Sequence, residues 1–159
     1  MRYRCVCLVV IVMASACSFI PDADTRQSVS VLKDEFHQTR HPTWVIDDRT
    51  NMQPTVVWTG GGATISVVYR SSAPFESIRE YYHRQLVSRG WSLLGETAVR
   101  DWGRDFGGRL VRYCKSGMQA HLQFAGAIAA EYRWDFAFGM SWRAEGHLNP
   151  CRSSAPDPR

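Results

Sequence analysis

The sequence predicts an α+β fold: one main helix, about residues 73–89, packed on an antiparallel sheet of about four to six strands in a single domain. Three observations carry this expectation. The chain has 159 residues, 45% of them hydrophobic, which is enough for one core and leaves little room for a second domain. Phe75, Ile78, Tyr82 and Leu86 are spaced three and four apart, which makes an apolar stripe along a helix. Several other segments alternate apolar and polar residues with the period of a strand that has one face on a core. The hydrophobic content excludes global disorder. A net charge of +4 without a clustered basic face does not point to a nucleic-acid partner, and none is expected.

The elements follow in chain order. Residues 1–16 read as a secretory signal peptide: Arg2 and Arg4 make a cationic start, residues 5–13 are apolar, and Ala14-Ser15-Ala16 is a small-residue cleavage site. The longest apolar run, residues 6–16, is shorter than the roughly 20 residues of an ordinary membrane-spanning helix. Residues 17–40 read as a tether with a short helix over 28–39, where Val29, Leu32 and Phe36 fall at helical spacing and Pro42 follows. The globular domain spans 41–151. Within it, 43–47 reads as a short strand, and 55–58 and 64–69 read as a hairpin around Gly60-Gly61-Gly62. The main helix has Ser72 as its N-cap, Pro74 in its first turn, Glu80 and Arg84 as an i,i+4 pair and Gly90 just past its end.

Trp91-Ser92-Leu93 opens the next strand. Residues 100–108 read as a loop with an internal echo, Arg-Asp-Trp-Gly and then Arg-Asp-Phe-Gly. Strands at 110–114 and 119–124 flank a turn. In the second of these, Ala120, Leu122 and Phe124 face one way and Gln119, His121 and Gln123 the other. The last strand is expected over 131–143, with Tyr132, Trp134, Phe136, Phe138, Met140 and Trp142 on its apolar face. Residues 152–159 read as a disordered, proline-containing tail.

Ala14-Ser15-Ala16-Cys17 resembles the lipobox of bacterial lipoproteins, with Ala14 standing where leucine is most often found. The resemblance implies cleavage before Cys17, lipidation of its thiol and acylation of the new amino group, so the membrane becomes a partner through a lipid anchor. Ser18, rather than an aspartate, follows the cysteine. By resemblance to Gram-negative lipoproteins this implies an outer-membrane location facing the periplasm. Ordinary secretion to a soluble periplasmic form would cut the same bond and leave Cys17 unmodified. Removing residues 1–16 leaves 17 basic and 15 acidic residues, a balance of +2.

Five cysteines then divide as follows. Cys5 and Cys7 leave with the signal peptide, Cys17 takes lipid, and Cys114 and Cys151 remain as a pair. In an oxidising compartment that pair is expected as a disulfide. Strand directions permit it, because the strand ending at Cys114 and the last strand finish near the same level. A second likeness covers roughly residues 63–94. Tyr69-Arg70-Ser71-Ser72, then Phe75, Ile78, Tyr81-Tyr82, Leu86 and Gly90-Trp91, look like a pattern in small bacterial envelope lipoproteins. It implies a helix on an antiparallel sheet and brings no catalytic residues.

Few residues stand in a pattern that carries chemistry. His37 and His41 stand four apart, as two ligands on a helix would, but Pro42 disfavours a helical His41, and they read as surface or capping histidines. Gly60-Gly61-Gly62 lacks the spacing of a phosphate loop. There is no G-x-S-x-G or H-E-x-x-H. No catalytic residue, metal or cofactor is expected. Trp102 and Phe106 stand out because they sit in an arginine-rich stretch; with Arg104 and Arg109 they are the candidate partner-binding residues, since Trp and Arg are enriched at binding hot spots.

These readings give an expected function: a non-enzymatic outer-membrane lipoprotein whose periplasmic domain binds another cell-envelope component, such as an envelope protein. An alternative is an immunity lipoprotein that inhibits a cell-wall-degrading effector, a secreted hydrolase delivered by neighbouring cells. A third is a small-ligand carrier or enzyme with a pocket between helix and sheet, whose mark would be His121 beside carboxylates.

Overall fold

The computed structural model describes residues 23–43, 55–59, 61–101, 103–143 and 150–151. The signal peptide, Cys17, the tail 152–159 and nearly all of the strand expected at 43–47 lie outside these residues. The elements are α1 (Ala23–Gln38), β1 (Thr55–Thr59), β2 (Gly62–Tyr69), α2 (Phe75–Val87), β3 (Ser92–Asp101), β4 (Arg104–Lys115), β5 (Met118–Phe124), a 3-10 turn (Gly126–Ile128) leading into α3 (Ala129–Tyr132), and β6 (Phe136–Arg143). The strands form one sheet in the order β1-β2-β6-β5-β4-β3, and every neighbouring pair is antiparallel. The architecture is α+β, mostly sheet, in a single domain.

The alternation seen in the sequence sets the two faces of the sheet. Ile65, Val67, Val111, Tyr113, Ala120, Leu122, Phe136, Phe138 and Met140 are buried on the face that carries the helices. The register aligns them in rows, one of which runs Val111, Leu122, Phe138 and Val67. Gln119, His121 and Gln123 fall on the other face, as expected.

The expectation of one main helix is corrected. The segment read as a tether holds α1, which starts at Ala23 and runs for 16 residues. Its stripe belongs to the core: Val29 is 4% exposed, and Leu32 and Phe36 are fully buried. Phe138 of β6 sits at the seam between the two helices. Phe36 of α1 stacks on it at 5.7 Å between ring centroids, and Tyr82 of α2 at 4.4 Å. His41, just past α1, packs on Phe36, Phe138 and Tyr69. It is therefore part of this aromatic cluster and not a surface histidine, while His37 is exposed.

Three further boundaries shift for local reasons. The α2 N-cap is Pro74, with no side-chain cap bond. Ser72 does not cap it; instead Ser71 Oγ accepts the Ala73 N–H at 3.0 Å, and the Ser71 N–H donates to Asp135 Oδ2 at 2.8 Å. The helix ends as the glycine predicts: Gly90 has φ +82, its N–H donates to the Val87 carbonyl and that of Trp91 to the Leu86 carbonyl, a Schellman pattern. The last strand is shorter than expected. It begins at Phe136, because residues 126–132 coil into the 3-10 turn and α3, and Arg133 in the left-handed region (φ +61) ends them.

A single carboxylate joins three elements. Glu35 of α1 accepts from Lys115 Nζ of β4 at 2.5 Å, from Arg89 Nη2 at 2.7 Å and from Trp91 Nε1 at 3.3 Å. Its side chain is 14% exposed. Burial pushes the carboxyl pKa up, but the hydrogen bonds from Lys115 and Arg89 outweigh this and hold it below its ordinary value. Beside it, Cys114 and Cys151 form a disulfide with S–S 2.08 Å and Cα–Cα 5.3 Å across a separation of 37 residues. A loop of that size contributes about 4 kcal/mol in the chain-entropy treatment.

The Glu35 arrangement gives a signed prediction. A carboxyl with a depressed folded pKa contributes stability that is present above its unfolded value and lost as the pH falls through the folded pKa. Burial likewise holds the His41 and His121 pKa values below the ordinary one, so stability begins to fall below about pH 6.5. Replacing Glu35→Gln should cost about 2 kcal/mol at pH 7 and remove the lower part of this acid limb. Urea melts across the pH range measure both, and an unchanged acid limb would contradict the assignment.

Candidate functional site: the β3–β4 ribbon

Three of the candidate partner-binding residues, Arg104, Phe106 and Arg109, fall on a two-stranded ribbon, not in a loop. β4 pairs with β5 from Arg109 to Lys115, whereas β3 and β4 continue to pair as far as Asp101 and Arg104. The segment of β3 and β4 beyond β5 therefore projects past the sheet. The internal echo accounts for its shape. Gly103 and Gly107, the final residues of the two echoed tetrapeptides, both have φ +76. The first sits in the turn between Asp101 and Arg104. The second lies in a bulge: Val99 pairs with Gly108 and Arg100 with Asp105, so Phe106 and Gly107 are extra on β4. Asp105 Oδ1 fixes the bulge by accepting the Gly107 N–H at 2.8 Å. Sequence alone reads the two glycines as loop residues because left-handed backbone is equally at home in turns and in bulges.

The ribbon is braced at its base. A Cβ on Gly126, at φ +68, would come within 2.2 Å of the Phe106 carbonyl oxygen and 2.7 Å of the Gly108 nitrogen, so the 3-10 turn lies directly against the bulge. Phe106 is half-buried and outside the core cluster. Arg104 and Asp105 are exposed. Arg109 donates to the Gly108 carbonyl at 2.9 Å and lies 3.7 Å from Asp105. Arg104, Phe106 and Arg109 thus share one short stretch of β4. Trp102, like Cys17, lies outside the described residues.

The ribbon projects from the end of the sheet opposite α1's start. At the far end a cavity of about 310 Å³ is lined by Gln27, Ser28 and Val31 of α1 together with Ser116, Met118 and Trp142. The Cys114–Cys151 disulfide is at this end too, since Cys114 pairs with Ser92 at the beginning of β3. Without the two bulged residues, the strand spans about 27 Å from Cys114 to Arg104.

Between the helices and the middle of the sheet lies the apolar core, and the cavity beside Val31, Met118 and Trp142 is at its margin. His121 is on the opposite face, with its ring so close over Gly139 that a Cβ there would meet Nε2 at 2.6 Å. It therefore does not lie in the helix–sheet pocket for which it was the marker. Among the described residues, no group of three or more His, Cys, Asp or Glu side chains could hold a metal ion, and no helix is long and apolar enough to cross a membrane. No family model, curated protein or solved structure matches the chain.

The bracing predicts that Gly126→Ala destabilises the domain by about 3 kcal/mol, since the new methyl group meets backbone at a left-handed position. Hydrogen exchange at 99–108 should quicken more than in β5. A variant as stable as the original would show that the base is not packed in this way.

Proposed function

We propose that the chain is a non-enzymatic, lipid-anchored outer-membrane protein whose domain binds another component of the envelope through the β3–β4 ribbon. One observation carries this reading: α1 begins at one end of the domain and the ribbon projects from the other. An anchor at Cys17, a few residues before α1, puts the membrane at the near end and the ribbon at the far end. There the ribbon offers Arg104, Arg109 and the aromatic Phe106, and aromatic and arginine side chains dominate binding energy, on a braced support that loses little entropy on binding.

A second reading draws on the same shape. A narrow, rigid hairpin fits a concave cleft, so the partner can be a secreted cell-wall hydrolase whose active-site groove the ribbon fills, as in an immunity lipoprotein. Hydrolase assays with and without the protein separate the two readings.

The anchor is tested by labelling cells with radioactive fatty acid. Label should enter the wild-type chain and be lost in Cys17→Ala, and equal labelling would refute the anchor. The ribbon is tested by recovery from crosslinked envelopes. Trp102→Ala with Phe106→Ala should reduce recovery of the main crosslinked partner at least about tenfold, as expected for loss of hot-spot side chains. Undiminished recovery with an unchanged melting temperature would place the binding surface elsewhere.

A further inference from the structure

We infer that β3 is a self-pairing edge and that two copies of this chain join through it in antiparallel fashion, about a two-fold axis at Ala98. The inference is independent of what the ribbon binds, because it uses the outer edge of β3 and leaves the β4 residues Arg104, Phe106 and Arg109 free.

β3 is the terminal strand of the sheet, and among the described residues its only strand partner is β4. An edge strand presents a row of peptide groups ready to pair with another chain, and proteins usually blunt such edges by brevity, bulges or charge. β3 is 10 residues long. Its own irregularity is confined to Leu93–Gly95. The later register break, at Val99 and Arg100, comes from the two extra residues on β4. Residues 95–101 of β3 are therefore regular. Glu96, Thr97, Ala98 and Arg100 are exposed. Two of the exposed large apolar side chains, Leu93 at 47% and Leu94 at 39%, also belong to this strand.

The charges choose the partner. In antiparallel pairing, opposite residues point to the same face, so the two-fold axis of a self-pair must pass through a residue. Axes at Thr97 or Val99 bring no opposite charges together. An axis at Ala98 places Glu96 opposite the second copy's Arg100, and Arg100 opposite the second copy's Glu96. Thr97 then faces the second copy's Val99. The small Ala98 side chains meet on the axis without a clash. The charges that would discourage an unrelated strand are self-complementary here. Glu96 is free to take part, since its contact with Arg79 is 4.0 Å long and both side chains are more than a third exposed, a pair of little worth.

Sedimentation equilibrium of the purified chain over rising concentration tests this. The apparent mass should climb towards twice that of one chain. Glu96→Arg and Arg100→Glu, each of which turns two opposite-charge pairs into like-charge pairs, should separately weaken association about tenfold, and the two together should restore it. Circular dichroism checks that each variant folds. Ala98→Cys should link two chains through that position on oxidation, as shown by mapping the linked peptide, and Thr97→Cys should not. A chain that stays monomeric at every concentration overturns the inference. So does association that ignores the single reversals, or a dimer in which Ala98→Cys fails to link.

Discussion

The Glu35 carboxylate holds the architecture together where helix propensity and apolar burial alone would leave it loose. It lies on α1 and takes hydrogen bonds from Arg89 and Trp91, which follow α2, and from Lys115 at the end of β4. Three segments distant in sequence are thereby fixed to one another at the disulfide end of the sheet. A carboxylate this enclosed is stable only because each donor is already in place; removing one partner of such a set leaves the rest desolvated without compensation. Its position also fixes the path of α1 across the helix-bearing face, so that Phe36 reaches Phe138 and His41 reaches Tyr69.

The remaining features follow from a sheet covered on one face by two helices. Phe138 receives an aromatic ring from each helix, which fills the middle of the helix-bearing face. The opposite face has small and polar side chains, and Gly139 leaves room there for the His121 ring. Because β3 and β4 are longer than β5, the sheet cannot continue beyond Arg109, and the excess length emerges as a ribbon. A bare two-stranded ribbon is marginal in water. Here the bulge at Phe106-Gly107 and its contact with Gly126 supply the support that a third strand would otherwise give. The same extension leaves β3 with a long free edge, and the order of charges along that edge decides what can pair with it.

Much of this was legible in the sequence where periodicity is strong. The stripe Phe75, Ile78, Tyr82 and Leu86 and the stop at Gly90 mark α2; the alternation from Gln119 to Phe124 gives the faces of β5; and the cysteine count isolates the Cys114–Cys151 pair. The first helix is longer and more central than its sequence pattern suggests. Its stripe of Val29, Leu32 and Phe36 is flanked by polar residues that give no hint of burial, and its main fixing group, Glu35, looks like any solvated acid until Lys115 and Arg89 are folded against it. The ribbon was hidden for a similar reason. Glycine, aspartate and arginine at 100–108 have the composition of a loop, and their pairing depends on a register set by β4 and β5 far from the turn. Tyr132 and Trp134 continue the alternation of β6 in sequence, yet the alanine-rich stretch before them coils and takes them out of the strand. The partner-binding residues could be named from type alone, but not the rigid support that presents them.

The central claim is that α1 belongs to the folding unit of the sheet and is not an appendage of a tether. Native-state hydrogen exchange, residue by residue, tests it most directly. If the claim holds, the amides of α1 from Leu32 to Gln38 open with the same free energy as those of Leu122 and Phe138 in the middle of the sheet, since only global unfolding exposes them. Exchange of the α1 amides at far lower cost, with β5 and β6 still protected, would contradict it.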